Sequence, residues 1–114
     1  MKCFVADIYI EDYKHFIEEI WKYSYDQLEI NLENFFRIYK EGYSFHIVYK
    51  SEEIVEIMGI QTENLMDSIN SGKAMEKLLE IIEQYFKFHA SFQVRQEYEK
   101  CISDSTAERT IFEK

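Results

Sequence analysis

The sequence predicts an α+β fold: an antiparallel β-meander packed against an amphipathic helix and a long C-terminal helix. Three observations lead there. Residues 3–10 are rich in β-branched and aromatic side chains. Residues 27–60 contain short runs of alternating polarity broken near Gly42 and Ser51-Glu52-Glu53. Residues 73–103 keep apolar side chains at 3- and 4-residue spacing. With 114 residues, no Pro and three Gly, the chain reads as a single domain, 1–114, with a frayed tail at 103–114. The aromatic content of 17% excludes disorder over most of that length.

The elements follow in order. The first strand, 3–10, ends at Glu11-Asp12, and acidic side chains suit the positive end of a helix dipole. A helix is expected next, because Tyr13, Phe16, Ile17, Ile20, Trp21 and Ser24 share helical spacing. Glu18 and Lys22 form a favourable i,i+4 pair on its other side. Leu28-Glu29-Ile30-Asn31-Leu32-Glu33 alternates strictly and reads as a half-buried strand. Residues 35–39 and 43–49 read as a hairpin closed at Gly42, and 54–60 as a further strand. The competing reading makes 34–39 a helical turn and 52–58 a helix. Thr62 caps a short helix carrying Leu65, Met66 and Ile69, which breaks at Asn70-Ser71-Gly72. The long helix then starts at Lys73 or Ala74. One stripe, Met75, Leu78, Leu79, Ile82, Tyr85, Phe86 and His89, packs on the sheet. A second, Ile81, Tyr85, Phe88 and Phe92, exceeds what one sheet face needs and reads as a homodimer seam. Thr110-Ile111-Phe112 could dock as a short strand.

Charge narrows the function classes. The net charge is −9, and residues 1–33 alone carry 3 basic and 8 acidic side chains, net −5. A chain so acidic repels phosphate backbones, which argues against direct nucleic-acid binding. No apolar run approaches the ~18 residues of a membrane span. Asp7 comes too early for a signal peptide, so a cytoplasmic location without membrane contact is expected. Cys3 and Cys101 read as reduced thiols, with no CxxC spacing. No cofactor and no metal are expected. His15, His46 and His89 are scattered, and the i,i+4 pair His15/Glu19 lacks a third ligand. No phosphate-binding loop, dinucleotide fingerprint, HExxH or GxSxG occurs, so catalysis is not expected.

The favoured function is non-catalytic protein binding. Tyrosines interleaved with carboxylates supply rigid contact area and attract a basic partner. The predicted contact surface is Tyr23, Tyr25, Asp26, Glu29, Glu33, Glu41 and Tyr43. It suits a small acidic inhibitor or immunity-type protein that occludes a basic or nucleic-acid-handling partner by imitating nucleic acid. A small dimeric escort chaperone is an alternative. A further alternative comes from residues 53–70. Glu53-Ile54-Val55-Glu56-Ile57-Met58-Gly59-Ile60-Gln61-Thr62-Glu63-Asn64-Leu65 resembles the helix-turn-helix of repressor-type DNA-binding proteins, with Gly59 in the turn and Leu65 inside the second helix. Asn70-Ser71-Gly72-Lys73 is similar to the end of that motif in phage-repressor-like domains. The resemblance implies a DNA-binding regulator. Its recognition helix would carry Glu63 and Asp67 and no Arg or Lys, where groove contacts need basic or amide groups.

Overall fold

The computed structural model describes residues 2–21, 25–62 and 70–98. Strand β1 (Cys3–Ile10) lies inside a four-stranded sheet. Helix α1 (Tyr13–His15) follows and continues as a π-helical turn, Phe16–Trp21. Helix α2 (Tyr25–Ile38) leads to a hairpin of β2 (Tyr43–Lys50) and β3 (Ile54–Gln61). Helix α3 (Ser71–Phe86) precedes β4 (Ala90–Tyr98). The sheet order is β2-β3-β1-β4 and every neighbouring pair is antiparallel. Strands and helices in this order form a split β-α-β arrangement. The fold is therefore mixed helix and strand, as the sequence predicts, but its partition differs.

The described helices lie on one face of the sheet. Phe4, Ala6, Ile8 and Ile10 of β1 point to that face and join one core. Val55 and Ile57 of β3, Leu28, Leu32 and Phe36 of α2, and Ala74, Met75, Leu78, Leu79, Ile82 and Phe86 of α3 complete it. α2 lies over β2 and α3 over β4. The other face carries a smaller buried cluster of Cys3 and Met58, with Val48, Ile60 and Tyr98 packed against it.

Three elements correct the sequence expectations. The alternating run 28–33 belongs to α2, so the meander does not begin there. Leu28, Leu32 and Phe36 recur every four residues and are buried, which fits a helix. Ile30, the residue that made the pattern alternate, is exposed. Phe35 and Tyr39 also lie on the helical stripe, with rings stacked 5.4 Å apart. The hairpin is instead β2–β3, with Gly42 at φ 77° in the turn that enters it.

The long C-terminal helix is the second correction. α3 starts at Ser71, capped by Asn70, whose Oδ1 accepts the Lys73 N–H at 2.8 Å. It stops at Phe86, where Lys87 turns left-handed at φ 67°. Phe88 then drops into the core against Phe16, at 5.1 Å, and Phe86, at 6.0 Å. Ala90, Phe92 and Val94 take up a period of two as β4 pairs with β1. The third correction concerns 16–21. The π-helical turn brings Phe16 and Trp21 together, their rings 6.2 Å apart, and leaves Ile20 exposed.

Residues 54–58, which the helix-turn-helix reading makes its first helix, and Gly59, which it puts in the turn, both belong to β3. Residues 63–69, the body of the helix placed after Thr62, and the tail, with Cys101 and Thr110-Ile111-Phe112, lie outside the described residues.

Gly59 sits at the tightest point of the sheet. It pairs with Phe4 on one side and Phe45 on the other, and both rings fold over it. A Cβ there would lie 2.6 Å from two Phe4 ring atoms and 3.2 Å from Phe45. Gly59→Ala should therefore destabilise the chain by about 1–3 kcal/mol through overpacking. Urea unfolding of the two proteins measures this; an unchanged midpoint would refute the packing account.

Candidate functional site

The helix layer presents the most distinctive surface. α2 and α3 run side by side, and their outward flanks leave an apolar seam lined by Asn31, Asn34, Phe35, Ile38, Tyr39 and Tyr85, about 280 Å³ in volume. Ile38 is 83% exposed and Tyr85 69%. The two side chains line the same seam and give it an apolar surface. The base of the seam is aromatic. Phe35 contacts Tyr85 at 5.6 Å and Phe86 at 5.9 Å, while Tyr39 contacts Phe45 at 5.9 Å. Burial raises the Tyr39 hydroxyl above its ordinary range, and the Glu41 carboxylate adds to the effect.

Carboxylates stand on the outer flanks of both helices, joined on the α2 side by Arg37 and Lys40. On α2, Asp26, Glu29 and Glu33 follow at spacings of three and four, with Asp26 and Glu33 exposed and Glu29 half-buried. On α3, Glu76, Glu80 and Glu83 do the same on the flank above β4. They overhang a groove of about 740 Å³ whose floor includes Leu79, Ala90 and Phe92. Glu83 Oε2 lies 3.1 Å from His89 Nδ1, and Glu76 pairs with Lys73 at 3.7 Å.

The opposite edge is different. The groove between α2 and β2 is lined by Glu33, Arg37, Lys40 and His46, a mixed set with two fixed cations. At the far end of β2, Lys50 folds onto the Tyr13 ring, 5.7 Å from its centroid. Burial lowers the Lys50 ammonium from its ordinary range, partly opposed by Glu29 and Glu52.

The predicted contact residues separate into groups. Asp26, Glu29, Glu33 and Glu41 are on or near the α2 flank. Tyr25 opens α2. Tyr23 lies outside the described residues. Tyr43 is corrected: it is only 2% exposed, packed 5.2 Å from Phe4, and cannot meet a partner. Burial, and secondarily the Glu97 carboxylate, raises its hydroxyl above the ordinary range. The proposed dimer stripe also divides. Ile81 and Tyr85 are exposed on α3, whereas Phe88 is a core residue and Phe92 stands on β4. A helix that ends at Phe86 cannot align all four. Sequence reading missed Phe35, Ile38 and Tyr39 as surface residues, because it placed them in a strand. Their i, i+3, i+4 spacing was the available signal.

The helix-free face carries one charged constellation. Asp7 is 8% exposed, and Glu56 is its cross-strand neighbour. Arg95 bridges the two, bonding Glu56 through a terminal guanidinium nitrogen and placing Nε 3.6 Å from Asp7 Oδ2. The Tyr9 hydroxyl donates to the same Oδ2 at 3.4 Å. Asp7 Oδ1 is buried without a hydrogen-bond partner among the described residues. Among those residues no group of three His, Cys, Asp or Glu could hold a metal ion. None of the helices there is long and apolar enough to cross a membrane. No protein-family model, curated protein or solved structure matches the chain. A split β-α-β arrangement hosts many activities, so function has to be argued from these surfaces.

Arg95→Met should leave two adjacent carboxylates, one of them nearly buried, without a cation. The expected cost is about 1–3 kcal/mol. Adding Asp7→Asn to that variant should recover part of it, and a double-mutant cycle in urea reads the coupling. Strict additivity would show that the triad is only a surface contact.

Proposed function

We propose that the chain is a non-catalytic protein-binding module, a small acidic cytoplasmic inhibitor of the immunity type that occludes a basic or nucleic-acid-handling partner. The observation that carries this reading is the exposed aromatic and aliphatic seam of Ile38 and Tyr85 between two rows of carboxylates. Protein interfaces have that anatomy: an apolar centre with rigid aromatic anchors and a charged rim. The rim steers a basic partner, and the seam holds it. Asp26, Glu29, Glu33 and Glu41 keep their proposed role, with Tyr85 and Ile38 as anchors in place of Tyr43. The net charge of −9 favours the same sign of partner. Affinity capture from the source cell at low salt should recover one basic, nucleic-acid-handling protein. Raising the salt to about 0.5 M should release it, because screening weakens the rim. Added chain should lower that protein's nucleic-acid binding, and Ile38→Ala with Tyr85→Ala should weaken the complex at least about tenfold. Recovery of no partner at low salt, or indifference to both substitutions, would overturn the reading.

A second reading fills the seam with another copy of the chain. Ile81 and Tyr85, one turn apart on α3, favour it, since a two-fold axis beside them would bury the same patch on both copies. Sedimentation equilibrium at high micromolar concentration should then show a dimer that Tyr85→Glu dissociates. A clean monomer would exclude it.

A further inference from the structure

The edge of the sheet at β4 points to a second interaction, on the flank of α3 away from the seam. Among the described residues no strand pairs with the outer side of β4. The Glu11 N–H bonds the His89 carbonyl at 2.8 Å, and the register from Tyr9↔Ser91 to Ala6↔Val94 continues from it. Antiparallel pairs alternate between bonded and non-bonded residues. The amides of Ser91 and Gln93 therefore turn toward β1, and those of Ala90, Phe92 and Val94 turn outward. The bulge between the Val5 and Ala6 pairings adds Arg95 and interrupts the edge there. A stretch of edge without a bulge, 90–94, is left without a strand partner on its outer side among the described residues.

We propose that this edge binds an extended basic segment of a protein partner, which adds to the sheet as a fifth strand beside β4. Charge selects the occupant. Glu76, Glu80 and Glu83 overhang the edge, and Lys87 is the only fixed cation lining the groove. Along α3 the three carboxylates are spaced by about 6 and 4.5 Å, at 1.5 Å per residue. Alternate residues of a strand recur every ~6.6 Å, so a cation at every second position meets this row. The intervening side chains face the other surface of the sheet, near Ser91 and Gln93. The β2 edge would repel the same segment, because Arg37 and Lys40 line its groove. A second copy paired through β4 on a two-fold axis would bring two carboxylate rows together, which argues against self-pairing here. Strand addition supplies affinity through main-chain bonds, and the row above supplies specificity.

This inference shares with the proposed inhibitor the sign of the partner's charge and the α3 row Glu76, Glu80 and Glu83, but not the seam anchors Ile38 and Tyr85 or the main-chain edge, so the two fail separately. The test is amide exchange by NMR on the full chain at low salt, with a short capped peptide of alternating Lys and Val as probe. At about ten times its Kd, the peptide should slow exchange of the Phe92 and Val94 amides about tenfold. Amides of the β2 edge should not change. Glu80→Lys with Glu83→Lys, both on the outside of α3, should abolish the effect. A peptide of alternating Glu and Val should give none. Equal protection by both peptides would overturn the charge selection. Absence of protection at millimolar Lys/Val peptide would overturn strand addition. Phe92 and Val94 amides already slow in the free chain would show the edge filled by its own residues or another copy, which also overturns it. Failure here with successful partner capture would leave the inhibitor reading standing, and the reverse outcome would leave only the edge.

Discussion

The architecture depends on the need of β1 for two partners. Its residues Phe4, Ala6, Ile8 and Ile10 are buried under the helices, and Cys3 is buried on the other face. A strand so enclosed cannot leave either edge unpaired, because a buried amide or carbonyl without a hydrogen bond costs much of a domain's net stability. The β2–β3 hairpin closes one edge through seven paired positions, Cys3↔Ile60 to Tyr9↔Ile54. Only β4 closes the other. That requirement outweighs the continuing helical spacing after Phe86. Ending α3 frees Phe88 for the core and lets Ala90, Phe92 and Val94 cover the sheet beneath the helix. The exposed edge is thereby moved outward, from β1 to β4, and placed under a row of carboxylates.

Two bulges arrange the polar groups. Each inserts one residue, and one residue reverses which face the rest of the strand presents. In β2 the bulge at Val48 turns Lys50 to the helix side, where it meets the Tyr13 ring. In β4 the bulge at Arg95 turns Glu97 to the helix side, where its carboxylate accepts the Ser71 hydroxyl at the first turn of α3. An acceptor there also favours the helix dipole. Arg95 itself stays on the opposite face and neutralises Asp7 and Glu56. Without the β4 bulge, Glu97 would join those carboxylates and leave the helix start uncapped from the sheet.

How far the fold could be read from the sequence follows from these competitions. β1 was legible to the residue, because β-branched and aromatic side chains agreed with its burial on both faces. The strands at 43–49 and 54–60 were legible too, with the polar turn at 51–53 between them, but Gly42 suggested pairing 43–49 with 35–39 rather than with 54–60. The run 28–33 was not, since Leu28 and Leu32 satisfy periods of two and four alike, and only the exposure of Ile30 decides for the helix. The end of α3 left no mark of composition. No Gly or Pro stands near Lys87, and a left-handed Lys is a choice imposed by tertiary contacts. The surface followed the fold. Asp26, Glu29 and Glu33 share a helical flank as well as the sequence neighbourhood in which they were read. Tyr43 reads as a surface residue because tyrosine has a polar tip, yet its ring fills space beside Phe4. The likeness of 53–65 to a helix-turn-helix had Gly59 as its key residue. In the structure that glycine makes room for two phenyl rings between strands.

α3 unites the core with both candidate surfaces. Its 16 residues carry three stripes at once. Ala74, Met75, Leu78, Leu79, Ile82 and Phe86 bind it to the sheet, Tyr85 lines the seam with Ile81 exposed one turn before it, and Glu76, Glu80 and Glu83 overhang the edge of β4. A helix has about 100° of apolar arc when it serves one face. Here the arc is wider because Ile81 and Tyr85 extend it toward α2, and the remaining arc is acidic. The excess apolar surface noticed along 73–103 is therefore shared among a core aromatic, Phe88, a sheet residue, Phe92, and two exposed residues. Partner contact at the seam and strand addition at the edge would act on opposite sides of one helix anchored by six buried side chains. Because that anchor separates them, Tyr85 serves the seam alone, whereas the row of Glu80 borders the edge of β4 directly and the seam only as its outer margin.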